Sequence, residues 1–260
     1  MNPSLNGAMV LVTRPAAQAE MLCQLIQQGG GEAFRFPTLE IHAIAAPDAA
    51  LAKAFGCDWL VFTSSNAVDF ALKAFDGKMA HLQSVKLAAV GQATANALQA
   101  AGLSVACVPE TEFNSEGLLA QPAMQQVEGQ RIVIVRGVGG REKLAGTLRE
   151  RGARVDYLEV YRRDRPKVGN EQLVQALRKD RLRAITITSG EALENLLAML
   201  DKTSADIARK QPLVVVSDRI GQLALDLGFE QVAVSPQPSD AAILETLTTL
   251  LNGENSGRSN

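Results

Sequence analysis

The chain has 260 residues, 47% of them hydrophobic and 21% charged, with a formal net charge of −2. That length suits two domains of about 100–150 residues each, and the composition is that of a globular protein able to bury a sizeable core. So small a net charge gives no bulk attraction to nucleic acid or to an acidic membrane surface, so neither is expected as a partner and any anion site must be built locally.

The three cysteines, Cys23, Cys57 and Cys107, are an odd number without metal-binding spacing, which predicts a reducing compartment. His42 and His81 are the only histidines and there is no HExxH, so no metal is expected. The first residues lack a basic segment followed by an apolar one, and no run approaches 18 apolar residues. These features predict a cytoplasmic location without a membrane span.

Along the chain, short β-rich apolar runs fall at residues 9–12, 59–62, 87–90, 105–108, 132–135, 184–187, 213–216 and 232–234, most followed by a helical pattern. Leu193, Leu196, Leu197 and Leu200 trace one buried helical stripe, and Ile220, Leu223, Ala224 and Leu227 another. The alternation predicts an α/β fold with parallel sheets. It also repeats once: "VLVTRP" matches "IVIVRG", "DWLVFTSSNAV" matches "RAITITSGEAL", and "AAVGQATANALQAAGLSVACVP" matches "VVVSDRIGQLALDLGFEQVAVSP". The offsets are steady, 122 residues from Arg14 to Arg136, 125 from Thr63 to Thr188 and 126 from Gly102 to Gly228, so the repeat implies two similar domains rather than a solenoid.

"FRFPTLEI" and "VDYLEVYRR" are alternating extended segments suited to pairing as a two-stranded linker. With that pairing the first domain is discontinuous, residues 1–36 plus 164–252, and the second is residues 43–157. Residues 37–42 and 158–163 are then the linker strands, and the polar residues 253–260 a disordered tail.

In parallel α/β sheets ligands gather beyond the carboxyl ends of the strands. There the sequence places Ser64, Ser65 and Asn66, Gly91 and Thr94, Thr188, Ser189 and Gly190, and Ser217. Two readings stand for each: capping of the following helix, or reception of a carboxylate or phosphate by the same helix start. Arg14 and its counterpart Arg136 end strands, and Gly137, Gly139, Gly140 and Arg141 follow the latter. The glycines permit close backbone approach to an anion or a tight turn, and the arginines favour an acidic ligand or an ion pair. The spacing fits neither a dinucleotide fingerprint nor a P-loop. Tyr161, on the second linker segment, is read either as a packed, hydrogen-bonded ring or as a proton donor. Arg162, Arg163, Arg165 and Lys167 read as a solvated basic face.

"LVTRP", "FPTLEI", "FTSSNAV", "AVGQATANAL", "VRGVGGRE", "ITSGEAL" and "VVVSDRI", in this order, resemble the uroporphyrinogen-III synthase family over residues 8–250, with "GVGGRE" and "VSDRI" similar to its proteobacterial branch. The resemblance implies two flavodoxin-like domains joined by a two-stranded β linker, with hydroxymethylbilane bound between them and no cofactor. It further implies a monomeric lyase of porphyrin and heme biosynthesis in transient contact with the upstream hydroxymethylbilane synthase. The implied reaction loses the terminal hydroxyl to give an azafulvene cation, passes through a spiro intermediate that inverts ring D, and yields uroporphyrinogen III and water. Tyr161 matches the family's tyrosine at this place. Ser217-Asp218-Arg219-Ile220 departs from the Gly-Pro-Thr-Thr of many members, so no threonine role carries over there. A non-catalytic two-lobed cytosolic protein that binds a polyanionic small molecule is the competing expectation.

Overall fold

The computed structural model describes residues 4–140 and 142–257. The chain divides into two units, residues 1–40 with 164–260, and residues 41–163. In chain order, the first unit opens with β1 (Met9–Val12), α1 (Ala16–Gln28) and β2 (Glu32–Arg35). The second unit's elements are β3 (Glu40–Ala43), α2 (Asp48–Phe55), β4 (Trp59–Phe62), α3 (Ser65–Phe75), a 3-10 turn (Lys78–Leu82), β5 (Lys86–Ala89), α4 (Gln92–Ala100), α5 (Ser115–Ala120), α6 (Pro122–Gln125), β6 (Arg131–Gly137), α7 (Lys143–Glu150) and β7 (Arg154–Asp164). The chain then completes the first unit with α8 (Glu171–Arg178), β8 (Leu182–Ile187), α9 (Gly190–Ala198), α10 (Lys202–Arg209), β9 (Leu213–Val215), α11 (Asp218–Asp226), β10 (Val232–Val234) and α12 (Asp240–Gly257).

Each unit holds one five-stranded sheet, ordered β10-β9-β8-β1-β2 in the first and β3-β7-β6-β4-β5 in the second. Pairing is parallel between β1 and β2, β1 and β8, β8 and β9, and β9 and β10. It is likewise parallel between β4 and β5, β4 and β6, and β6 and β7. Both faces of such a sheet must be covered, which is why the central strands are continuously apolar. Val10 and Val12 point with Leu22 and Ile26 of α1 and Leu247 of α12, whereas Leu11 points with Leu193, Leu196 and Ile220 of α9 and α11. The second unit is wound the same way, with Leu60 and Phe62 toward α3 and α4, and Trp59 and Val61 toward α5 and α7.

The two sheets are equivalent once the repeat is laid over them. β1, β2, β8, β9 and β10 correspond to β6, β7, β4, β5 and the stretch at Cys107, which bridges Ala88 in parallel. Each sheet therefore joins the front strands of one repeat to the back strands of the other, because the chain passes between units at 40/41 and 163/164. The first unit's order is 2-1-3-4-5, the flavodoxin-like arrangement, and the second unit's matches it through the repeat, with β3 added outside β7; the ligand crevice of such a sheet lies where the strand order reverses. That switch point falls between β1 and β8 in one unit and between β4 and β6 in the other.

Three details differ from the sequence expectation. The segment read as the first linker strand begins inside the first unit, where Phe36 N–H and Thr38 N–H donate to the carbonyls of Val12 and Thr13 at 3.0 Å. β3 and β7 then lie side by side within the second unit's sheet, with Ile44 N–H donating to the Val160 carbonyl at 3.1 Å. Helix α12 continues through residues 253–257 of the expected tail, because its buried stripe of Ile243, Leu244, Leu247 and Leu251 docks the preceding turns and the backbone bonds propagate onward. The rest of that expected tail, 258–260, lies outside the described residues. No helix among the described residues is long and apolar enough to cross a membrane.

Candidate active site

The switch point of the second unit gathers the end of β4, the start of α3, the end of β6 and the adjacent stretch of β7. Ser64 leaves β4 in extended geometry and caps α3, its Oγ accepting from Ala67 N–H at 3.1 Å. The same Oγ lies 3.3 Å from the Tyr161 hydroxyl, which also accepts from Arg163 Nη2 at 3.4 Å. A polar triad thus stands at the carboxyl edge of the sheet, with the Arg163 guanidinium 5.7 Å from the tyrosine ring centroid.

A register shift sets the direction of Tyr161. Arg136 pairs with Glu159 but the next residue, Gly137, pairs with Tyr161, so Val160 is an extra residue in β7. Such a bulge re-aims the side chains that follow it. Strict alternation from Tyr157 would send Tyr161 to the face shared with α5 and α7. Instead Tyr161 joins Leu158 and Val160 in the core beneath α3, whereas Tyr157 packs on the opposite side. Tyr161 is 3% exposed, and its ring stands 5.4 Å from the Phe70 ring of α3 and lies against Gly137. A Cβ at Gly137 would come within 2.5 Å of Tyr161 Cε2 and 2.6 Å of Cζ. This glycine, read in the sequence as permitting either an anion's approach or a tight turn, leaves no room for a side chain because an aromatic ring occupies the space.

The other glycines of the loop behave as turn residues: Gly139 and Gly140 have φ of +74° and +111° with open space around them. Val138 between them and β6 is 56% exposed. Arg141 lies outside the described residues.

Arg136 is not an isolated cation. Its guanidinium stacks on the Tyr157 ring, 3.6 Å from the centroid, while Nη1 donates to Glu142 Oε1 at 2.9 Å and Nη2 lies 3.2 Å from Glu159 Oε1. The Tyr157 hydroxyl donates to the other oxygen of Glu142. Burial works against the arginine's charge, but the hydrogen bond to Glu142 and the surrounding negative groups outweigh it and hold the guanidinium above its ordinary pKa. Hydrogen bonds from Tyr157 and then Arg136 hold the Glu142 carboxyl below the usual carboxylate range. Burial, reinforced by Glu142, pushes the Tyr157 phenol up and keeps it a neutral donor.

The first unit repeats the plan without the tyrosine. Arg14 follows β1 and forms a close ion pair with Asp240 at the start of α12. Thr13 and Thr186 are buried and lock β1 to β8, each hydroxyl donating to a carbonyl across the pair at 2.8 and 3.0 Å. Thr188 is half-buried, Ser189 caps α9 through Ala192 N–H at 3.1 Å, and Ser217 caps α11 through Ile220 N–H at 3.4 Å. Gly190 is close-packed, since a Cβ there would lie 2.9 Å from Leu223.

Of the residues read from the sequence, Ser64, Arg136, Gly137 and Tyr161 are thus brought together at one switch point, with Ser65 exposed and Asn66 half-buried in the first turn of α3. Gly91 caps α4 in extended geometry and Thr94 is buried in that helix's first turn. Sequence reasoning overlooked Tyr157, Glu142, Glu159 and the contact of Arg163 with Tyr161. The alternation of Tyr157 with Glu159 along β7, facing Arg136 on β6, was the available signal for the first cluster.

The uroporphyrinogen-III synthase HemD family pattern matches residues 20–245. The uroporphyrinogen-III synthase of Escherichia coli K12 is 31% identical over 248 residues, covering 92% of this chain and 99% of that protein. That of Proteus mirabilis is 37% identical over 162 residues, 59% of this chain and 79% of the relative. Two solved structures share the fold. A mutant uroporphyrinogen III synthase of Thermus thermophilus has a TM-score of 0.63 at 20% identity, covering 96% of this chain and 98% of that one. The Helicobacter pylori uroporphyrinogen-III synthetase has a TM-score of 0.62 at 15% identity, covering 92% and 97%. A matching pattern across most of the sequence, with a relative above 30% identity over nearly its full length, places this chain in the uroporphyrinogen-III synthase family.

Proposed function

We propose that the chain is a uroporphyrinogen-III synthase, a lyase that cyclises hydroxymethylbilane to uroporphyrinogen III and water with inversion of ring D. The observation that carries the chemical reading is the Tyr161 hydroxyl, held between Ser64 and Arg163 at the switch point of a parallel sheet.

Arginine only donates, so the Tyr161 oxygen accepts from Arg163 and keeps its own proton to give. Given to the terminal hydroxyl of the bilane, that proton lets water depart and leaves the azafulvene cation. The substituted carbon of ring D attacks this cation to form the spiro intermediate, which reopens and recloses with the ring inverted. Loss of a proton from the newly joined pyrrole carbon restores neutrality, and its return to Tyr161 would close the cycle. Ser64, whose oxygen is held by the α3 backbone, keeps the phenol in place. The main task is positioning, since closure without inversion gives the other isomer, and a fixed near-attack geometry selects between them. The starts of α3, α9 and α11 are suited to substrate carboxylates, through first-turn amides and helix dipoles.

The test generates hydroxymethylbilane in situ, adds the protein without metal or nucleotide, oxidises the products and separates isomers I and III by chromatography. Predominantly isomer III is expected. Isomer I alone would reject the activity.

A further inference from the structure

Glu142 occupies a seat that has the geometry of a carboxylate receptor. One of its oxygens accepts from Arg136 Nη1 at 2.9 Å and the other from the Tyr157 hydroxyl, so two fixed donors serve the two oxygens of one carboxylate. Both donors are pre-arranged without Glu142. The Arg136 guanidinium lies flat on the Tyr157 ring, and its Nε and Nη2 are engaged by Glu159 Oε1 at 3.3 and 3.2 Å. Arg149 stands near the same ring, 5.5 Å from its centroid. The Arg136 side chain is 12% exposed and Tyr157 is half-buried, whereas the Glu142 side chain is 62% exposed. Glu142 also follows two glycines with positive φ on the loop that leaves β6. Its departure would uncover little apolar surface and would be matched by an incoming carboxylate making the same two bonds.

We propose that Arg136 and Tyr157 form a binding site for one carboxylate of the tetrapyrrole substrate, and that Glu142 is its internal occupant, displaced when the substrate binds. This rests on the synthase reading for the identity of the ligand. The site and the Tyr161 triad share the carboxyl edge of the sheet but lie on opposite faces, since Tyr157 packs on the side of α5 and α7 and Tyr161 on that of α3. A carboxylate seated on Arg136 would therefore hold one side chain of the substrate at that edge, on the strand whose Gly137 supports the tyrosine ring. The competition also has a functional sense, since a receptor filled by its own loop admits only a ligand that gains further contacts elsewhere.

The experiment titrates the protein with uroporphyrin III, an octacarboxylate, by absorbance and fluorescence, and measures KM for hydroxymethylbilane in parallel. Glu142→Gln keeps the side-chain size and removes the competing charge. It is expected to tighten uroporphyrin binding and lower KM by roughly three- to tenfold, the release of an occupied state held by an exposed ion pair and one hydrogen bond. Arg136→Gln and Tyr157→Phe are expected to weaken binding, and adding Glu142→Gln to Arg136→Gln is expected to bring no gain. Glu142→Ala serves as the second variant and should match Glu142→Gln. Unchanged or weaker binding in both Glu142 variants, or their failure to fold, would overturn the proposal and make Glu142 a structural brace. An equal gain in the Arg136→Gln background would overturn it too, by showing a nonspecific charge effect. The parent preparation is assayed for isomer III alongside. Absence of isomer III counts against the synthase reading alone, whereas its presence with no affinity change counts against the seat alone.

Discussion

Replacing Gly137 by alanine tests whether the position of Tyr161 is imposed by the strand beneath it. The added Cβ would lie 2.5, 2.6 and 3.0 Å from Cε2, Cζ and Cδ2 of the ring, where ordinary carbon contacts are about 3.5–4.0 Å. The ring must therefore retreat by roughly 1 Å, and it is a rigid group with Phe70 5.4 Å away on α3. Overpacking of this kind costs about 1–3 kcal/mol, which in a protein of this size lowers Tm by roughly 2–12 °C. The hydroxyl moves with the ring, and its contacts of 3.3 Å to Ser64 and 3.4 Å from Arg163 are already long enough that a further 1 Å breaks them. Gly137→Ala should thus lose isomer III formation to about the extent that Tyr161→Phe does. The assay is the isomer chromatography described above with a thermal melt on the same preparations. A double-mutant cycle with Tyr161→Leu isolates the ring, since the smaller side chain should absorb much of the alanine's cost. If Gly137→Ala keeps the parental Tm and rate, the ring is not locked by this contact and the account of the site is wrong.

Two further outcomes follow from the same structure. Ser64→Ala, Ser189→Ala and Ser217→Ala each remove a helix cap and should each cost about 1 kcal/mol, but only Ser64 touches Tyr161, so only Ser64→Ala should also slow the reaction beyond what the melting curves explain. Burial pushes the Cys57 thiol up to about 11 from an ordinary 9.0, so between these values the unfolded chain has released a proton that the folded chain retains. Stability should then fall as pH rises from about 9 to 11, by roughly 1.4 kcal/mol per pH unit at most. Urea unfolding at pH 8 and pH 10 measures this fall. A Cys57→Ser variant with the same pH dependence would assign it elsewhere, to Cys23 and Cys107, which burial also raises.

The legible parts of the site were those written in local chemistry. Ser64, Ser189 and Ser217 stand between a strand and a helix, and all three cap, because a hydroxyl there meets the first-turn amides in any context. Gly137 was visible as a glycine but the steric reason for it was not, since nothing near it in sequence reveals that the ring of Tyr161, on the next strand, lies against it. An ion pair was one of the two readings of Arg14 and Arg136, but the partner was not legible, because Asp240 is 226 residues from Arg14 along the chain.

Hydrophobic periodicity and the repeat by themselves determined an α/β chain with two similar parallel sheets, since buried parallel strands need apolar runs and helices need stripes, and both are local patterns. Sequence words also identified the family, because ordered matches survive where single motifs do not. Which repeat supplies which strands to each sheet was in the sequence only an expectation conditional on the pairing of two linker segments, as strand partners are chosen by burial across distant segments and by the crossings at 40/41 and 163/164. Tertiary structure alone decided the direction of Tyr161, because one extra residue at Val160 overturns the alternation from which its face would be read. It alone paired Glu142 with Arg136 and Tyr157, since a charge finds its partner through the path of the loop, which the order of residues does not specify.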